Sequence, residues 1–428
     1  MNRVPKLRFK EFSEEWEEKK LGEIFDVITD FVAAGSFATI RENVNYITND
    51  IGYAQLIRTT DLKYKFENLD KIYVDEKAFN FLYRVNLDKE CIILPNIGAN
   101  IGESYYIQPN IFKEKNNVLG PNAILIRSNK NNNKFLINFF ERKEYNKQLK
   151  IISGASGQPK FNKTDLKKFI FYIPVLQEQQ KIADFLSSVD KKISITEEKL
   201  DLFKEYKKGI MQKIFNQELR FKDSNGNDYP EWEEKRLGEI IEFLSDYTAN
   251  GSFASLKENV TYYTEENYAV LVRTTDLEKR IFTPERFTDK KGYDFLKKTA
   301  LFGGEIILAN VGSIGNVYKV PSYNKPMTLA PNTYVIYFNT LVEKEFIYQM
   351  MKTNNFKNKI LSKVGSSTLK AINKANLKDI DIFIPTSLEE QQKIANFLSS
   401  IDNKIDNLAA KLEDLKEFKK GLLQQMFI

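Results

Sequence analysis

The chain has 428 residues, 42% of them hydrophobic, which is material for two or more packed domains rather than one core. Lys and Arg number 64 against 58 Asp and Glu, a net charge of +6 that permits a nucleic-acid partner without requiring one. One cysteine, Cys91, excludes a disulfide framework and a thiolate metal cluster, and the lack of any histidine removes the usual general base and the imidazole metal ligands. The start carries no hydrophobic signal core and no apolar run approaches about 18 residues, so a soluble, cytoplasmic protein with no membrane partner is expected.

In chain order, one unit is written twice. Leu7-Arg8-Phe9-Lys10 returns as Leu219-Arg220-Phe221-Lys222, and EWEEKKLGEI from Glu15 returns as EWEEKRLGEI from Glu231. GSFAT from Gly35 returns as GSFAS from Gly251, and Arg58-Thr59-Thr60-Asp61 as Arg273-Thr274-Thr275-Asp276. Leu94-Pro95-Asn96-Ile97-Gly98 returns as Leu308-Ala309-Asn310-Val311-Gly312. The order is colinear and the offset drifts only between 210 and 216. The halves are roughly 7–215 and 219–427, each a globular region followed by a long helix, which reads as a duplicated domain with pseudo-two-fold symmetry.

Inside each globular region, Trp16–Ile24 suggests a strand or short helix feeding a turn. Tyr53–Ile57, Cys91–Leu94 and Ala123–Arg127 read as strands, with counterparts at Tyr268–Val272, Glu305–Leu308 and Thr333–Phe338. Lys134–Lys150 and Glu343–Ile360 carry helical periodicity. Gly154-Ala155-Ser156-Gly157 and Gly365-Ser366-Ser367-Thr368 read as flexible loops. The fold class is α+β, largely antiparallel sheet with a few helices, built twice.

The segment Glu178–Phe215 organises the rest. Ile182, Leu186, Val189, Ile193, Thr196, Leu200, Phe203, Lys207, Ile210 and Ile214 form an apolar seam at heptad spacing, broken by one Thr and one Lys. Adding 212 to each number gives Ile394 through Met426 without a slip, and the Lys recurs at Lys419. Two seamed helices most simply bury their stripes against each other; at 1.5 Å per residue each is a rod of roughly 57 Å. Lys207 and Lys419 either fix register or snorkel to water. Glu178 and Glu390 at the helix starts read as ordinary dipole chemistry.

Candidate binding residues each carry two readings. Arg58 and Arg273 suit guanine edges, and Thr59, Thr60, Thr274 and Thr275 suit phosphates; the alternative is an Arg–Asp pair closing a turn. Asn96 and Asn310 suit adenine or cap a turn. Asn100 and Ser313 lie in glycine loops that either approach phosphates or simply turn tightly; neither loop matches a P-loop or a dinucleotide fingerprint. Ser36 and Ser252, in the Gly-Ser-Phe-Ala stretches, belong to a backbone-contacting loop or to a turn covering a buried aromatic. Lys160 and Lys370 follow the Gly/Ser loops and suit phosphate contact or plain solvation. Catalytic motifs are missing: no Asp/Asn-Pro-Pro-aromatic, no Walker A, no paired cysteines, no HExxH.

The duplicated layout, the openings IPVLQEQQKIA from Ile173 and IPTSLEEQQKIA from Ile384, and the endings Lys207-Lys208-Gly209 and Lys419-Lys420-Gly421 resemble the specificity subunit of type I restriction-modification systems over nearly the whole chain. Where that family often has Gly-Gly-Thr-Pro, this chain has Gly-Ser-Phe-Ala. The resemblance implies target recognition domains at 1–174 and 218–385, each reading one part of a bipartite double-stranded DNA site. It implies coiled-coil helices at 175–217 and 386–428, packed antiparallel and setting the gap. It implies two modification (methyltransferase) subunits that bind S-adenosylmethionine, and restriction subunits that use ATP and Mg; this chain would bind no cofactor and catalyse nothing. Stretches that differ between halves, Lys63–Glu90 against Glu278–Gly304, are then expected to hold most base contacts. The rival reading is a stand-alone, repressor-like binding or adaptor protein with two sites on a coiled-coil hinge.

Overall fold

The structure, a computed structural model, describes residues 3–67, 70–153, 159–279, 281–364 and 370–428. The two stretches expected to be flexible loops, Gly154–Gly157 and Gly365–Thr368, lie outside the described residues. The chain divides into two compact units, Met1–Glu197 with Ala410–Ile428, and Glu198–Ala409. Each unit therefore takes one globular region and a share of both long helices.

The first unit runs β1 (Glu17–Lys20), β2 (Val27–Asp30), α1 (Phe37–Asn43), β3 (Ala54–Ile57), α2 (Thr59–Lys63), β4 (Tyr73–Val74), β5 (Cys91–Pro95), β6 (Tyr105–Ile107), β7 (Asn117–Leu119), β8 (Ala123–Arg127), α3 (Asn133–Phe140), α4 (Lys143–Ser153) and β9 (Ile170–Ile173), then enters the long α5 (Leu176–Phe215). An antiparallel sheet has the order β2-β8-β5-β6. A smaller sheet, β4-β3-β7, contains a parallel pairing of β3 with β7. β1 and β9 form an antiparallel ladder that ties the two ends of the globular region together. The Trp16–Ile24 segment resolves into both forms: β1, then one helical turn at Leu21–Ile24.

The second unit repeats the plan with β10 (Trp232–Arg236), β11 (Ile241–Asp246), α6 (Phe253–Asn259), β12 (Ala269–Val272), α7 (Thr274–Leu277), β13 (Phe287–Thr288), β14 (Ala300–Leu301), β15 (Ile306–Ala309), β16 (Val317–Lys319), β17 (Met327–Leu329), β18 (Thr333–Phe338), α8 (Lys344–Met351), α9 (Asn354–Ser362) and β19 (Asp381–Pro385), followed by the long α10 (Leu388–Gln425). Its sheets run β11-β18-β15-β16 and β13-β12-β17-β14, with β10 on β19. Each region that reads as one helix, Lys134–Lys150 and Glu343–Ile360, is two. In the second unit the break is at Thr353, whose hydroxyl accepts from Phe356 N at 3.2 Å and starts a new helix.

The central strands are apolar on both faces because both faces are covered. On β5, Ile92 and Leu94 join the core that holds Trp16, Phe135 and Phe139, while Cys91 and Ile93 join the core around Ile57 and Val74. On β15, Ile306 and Leu308 face one core and Ile307 the other. This two-sided burial explains why the strands read as continuous runs rather than alternating ones.

The seams pack within each unit. In the first, Ile182, Leu186 and Val189 of α5 meet Leu422 and Met426 of α10. In the second, Ile214 of α5 meets Ile394, Leu398 and Ile401 of α10. The pairing is antiparallel in both. Asp190 and Glu197 pair with Lys419 and Lys416 at 2.9 and 2.8 Å. Phe203 lies under Lys404, and Lys207 bonds Asp402 at 2.6 Å. The seam lysines are thus partnered rather than snorkelling. Each takes the Asp of the other helix and one group on its globular region: Gln349 at 3.0 Å for Lys207, Glu141 at 2.7 Å for Lys419.

The helix openings differ from the dipole reading given above. Glu178 and Glu390 are fully buried, each held by an arginine 170 residues away. Arg8 donates from Nε and Nη2 to Glu178 at 2.8 and 2.7 Å, and Arg220 donates to Glu390 at 3.2 and 3.0 Å. The neighbouring amides are buried too: Gln179 donates to the Pro174 carbonyl and Gln391 to the Pro385 carbonyl, both at 2.9 Å. Glu-Gln in these motifs is therefore a bolt between each long helix and the chain that precedes it. Among the described residues, no helix is long and apolar enough to cross a membrane.

Candidate nucleic-acid interface

The candidate residues gather where three loops of each unit meet. In the first unit, Gly120 N donates to the Ile57 carbonyl at 2.8 Å, which sets the Pro121-Asn122 turn beside Arg58. Asn122 holds φ at 67°, the left-handed conformation that a short polar side chain tolerates. Asn96 N donates to the Asn122 carbonyl at 3.1 Å, and Asn96 Nδ2 donates to the Phe161 carbonyl at 3.1 Å. Asn96 thus pins the β5 loop to the turn and to the strand-like segment carrying Lys160, which bridges to Ile97. Asn100 accepts from Lys63 Nζ at 2.9 Å, linking the glycine loop to α2.

The second unit repeats this. Ala330 N donates to the Val272 carbonyl at 3.1 Å, Asn332 holds φ at 70°, and Asn310 N donates to the Asn332 carbonyl at 3.1 Å. Lys370 is exposed beside Ala371, which bridges to Val311.

Arg58 and Arg273 close their turns. Arg58 donates from Nε and Nη2 to Asp61 at 2.9 and 2.8 Å, and Nη2 also reaches the Asp70 carbonyl at 2.6 Å. Arg273 holds Asp276 at 3.0 and 2.5 Å and Glu285 at 3.0 Å. Hydrogen bonds to these carboxylates raise both arginine pKa values. Most of their donors are engaged, so the turn-closing reading describes what these side chains do in the free protein. Thr60 and Thr275 stand exposed on the first turns of α2 and α7, with Thr59 and Thr274 half-buried beside them.

Ser36 and Ser252 are helix caps, each accepting from a backbone N–H three residues on, Thr39 and Ser255, at 3.2 Å. The aromatics after them are not covered by the turn. Phe37 is 83% exposed and Phe253 81%, at matching positions. Each lines a cavity of about 550 Å³ in the first unit and 580 Å³ in the second, with Tyr46 and Asn96, or Tyr262 and Asn310, on its walls. A further cavity of about 620 Å³ in the second unit shares Tyr262, Pro331 and Asn332 and brings together Arg273, Thr274, Thr275 and Ser313. Arg286 also lines it, a residue that sequence reading passed over. The cavities do not gather Ser36, Ser252, Lys160 or Lys370, which stand on the surface around them.

The chemistry on offer is hydrogen bonding and stacking. Hydroxyls, amides and cations are present beside exposed rings, and among the described residues no three potential metal ligands converge. Burial holds the Tyr247 phenol, at the wall of the second cavity, above its usual range.

Comparison with known proteins agrees with this arrangement. The family model described as type I restriction modification DNA specificity domain matches residues 13–204 and 229–417, most of the chain and both halves. The chain is 25% identical over 343 residues to the type I restriction enzyme MjaVIII specificity subunit of Methanocaldococcus jannaschii, spanning 76% of this chain and 75% of that one. It is 26% identical over 434 residues to the putative MjaX specificity subunit of the same organism, spanning 98% and 94%. Among solved structures, the S subunit of a type I restriction-modification system from M. genitalium superposes with a TM-score of 0.58 at 15% identity over 99% of both chains. A chain from a study of type I complex assembly and conformational transition gives 0.53 at 14% identity, over 96% of this chain and 97% of that one. The motif-bearing helices, the doubled α+β plan and the family match agree: this chain belongs to the specificity subunits of type I restriction-modification systems, which recognise DNA and are themselves non-catalytic.

Proposed function

We propose that each unit reads one part of a bipartite double-stranded DNA site and that α5 and α10 fix the spacer between the parts. The observation that carries this is the doubling of one loop constellation, Arg58/Arg273, Asn96/Asn310 and Asn122/Asn332, on two units that each share both long helices. Target recognition domains at 1–174 and 218–385 and helices at 175–217 and 386–428 are the functional divisions of this reading. Thr59, Thr60, Thr274, Thr275, Ser313, Lys160 and Lys370 contact phosphates; Asn96, Asn100 and Asn310 approach base edges. Arg58 and Arg273 keep their turns rigid and offer their remaining N–H groups, and Ser36 and Ser252 hold Phe37 and Phe253 toward the duplex.

In this reading two modification subunits, carrying S-adenosylmethionine, dock on the chain and methylate one adenine in each part. Restriction subunits with ATP and Mg complete the complex, and this chain binds no cofactor itself. At 1.5 Å per residue, the 40 residues of α5 make a rod of about 60 Å, an upper bound of about 18 base pairs on the centre spacing. Co-expression of this chain with a modification subunit, followed by genome-wide mapping of methylated adenine, is the test. Methylation at one bipartite motif that disappears without this chain supports the reading; methylation indifferent to it refutes it.

A further inference from the structure

The two units are alike in backbone but not in what they place beside the Arg–Thr–Thr turn. Leu271 N donates to the Arg286 carbonyl at 3.0 Å, and its counterpart Leu56 N donates to the Ile72 carbonyl at 2.8 Å. Arg286 and Ile72 therefore occupy the same register position, one in each unit, within the stretches that differ between halves.

In the second unit the acidic groups nearby are already engaged. Glu285 takes Arg273 and Lys279, Asp276 takes Arg273, and Glu278 accepts from the Tyr318 hydroxyl at 2.6 Å. The Arg286 side chain has no hydrogen bond or ion pair with any described residue, and the half-buried residue lines the cavity of about 620 Å³. A guanidinium has five donors in a planar fork, and in the free protein those of Arg286 are left to solvent at the cavity wall. The partner that suits a recessed fork between hydroxyl groups presents two acceptors side by side. Guanine does so with O6 and N7. Exposed Lys160 and Lys370, which stand outside the cavities, suit phosphates better than a group set into one.

We propose that Arg286 reads a guanine in the part of the site contacted by the second unit, and that the first unit, with Ile72 in that place, makes no such demand. This rests on the DNA-reading function proposed above.

The test uses the full chain co-expressed with its modification subunit, with methylated adenines mapped for wild type, Arg286→Ile and Arg286→Lys. Isoleucine stands at the matching position of the first unit, so the β-register accommodates it; thermal melting of the purified variants checks folding. The expected result is loss of discrimination, about 10- to 100-fold, at one guanine of one half-site in both variants, with the other half-site and the spacer unchanged. An unchanged motif overturns the proposal. So does methylation that weakens evenly in Arg286→Ile and recovers in Arg286→Lys, the mark of a phosphate contact. A wild-type chain that directs no bipartite methylation overturns the underlying reading and the proposal with it, and that failure shows in the wild-type arm alone.

Discussion

Glu178 and Glu390 are carboxylates with no access to water, and each depends on one arginine for its charge balance. Replacing Glu178 with Ala takes from Arg8 the carboxylate that holds two of its donors and is expected to destabilise the protein by about 3 kcal/mol, read from urea unfolding. The matching Glu390→Ala costs about 1 kcal/mol more, because Trp232 Nε1 also donates to Glu390 at 3.2 Å whereas Trp16 Nε1 has no such acceptor. At Phe37 the expectation reverses. An 83% exposed ring contributes little to the core, so Phe37→Ala leaves the melting curve nearly unchanged while weakening DNA binding by about 1–3 kcal/mol through lost apolar contact, measurable by titration of the assembled complex. These residues mark what was hidden in the sequence. The EQQK motif announced a helix start but not its arginine, because the partner lies 170 residues away. The Gly-Ser-Phe-Ala stretch left open a turn over a buried aromatic; instead a helix begins at Phe37, whose exposed ring borders the cavity that Ile40 and Val44 help line.

The long helices were the most legible elements, since a seam repeated at an offset of 212 leaves little choice about which faces pack. What the spacing left open was the role of the lysines in that seam. Lys207 sits against Asp402 and Gln349, and burial, with Lys352 nearby, holds its ammonium below the usual lysine range despite Asp402. Burial also pulls Lys419 down, but Glu141 and Asp190 together outweigh it and raise its pKa. Between the lowered pKa of Lys207 and the ordinary value of 10.5, the unfolded chain binds more protons than the folded one, so this site makes stability rise with pH. The contribution of Lys419 is fully present below 10.5 and is lost as pH rises through its raised folded value. Alkaline unfolding of wild type against Lys207→Met and Lys419→Met is expected to give difference curves of opposite slope; parallel curves would show that the two lysines are equivalent. The smaller helices were less legible. Lys134–Lys150 and Glu343–Ile360 have unbroken apolar periodicity, and the breaks come from local caps such as Thr353, which periodicity alone does not register.

At the scale of the whole molecule, the duplication was plain in the sequence, as was the α+β character of each half. The parallel pairings of β3 with β7 and of β12 with β17 were not, because they join strands far apart in the chain. The unit boundaries were not evident either: each compact unit takes the first part of one long helix and the last part of the other, so neither half of the sequence is a unit by itself. The proposed role of helix length in spacing the DNA site rests on each unit's share of both helices. Removing one heptad from α5 together with one from α10 keeps both seams in register and shortens each rod by about 10 Å, the length of about three base pairs. The decisive measurement is the map of methylated adenines made by this doubly shortened chain with its modification subunit. The expected result is a spacer about three base pairs shorter between unchanged flanking bases. A spacer of the original length, in a chain that still assembles and methylates, would contradict it.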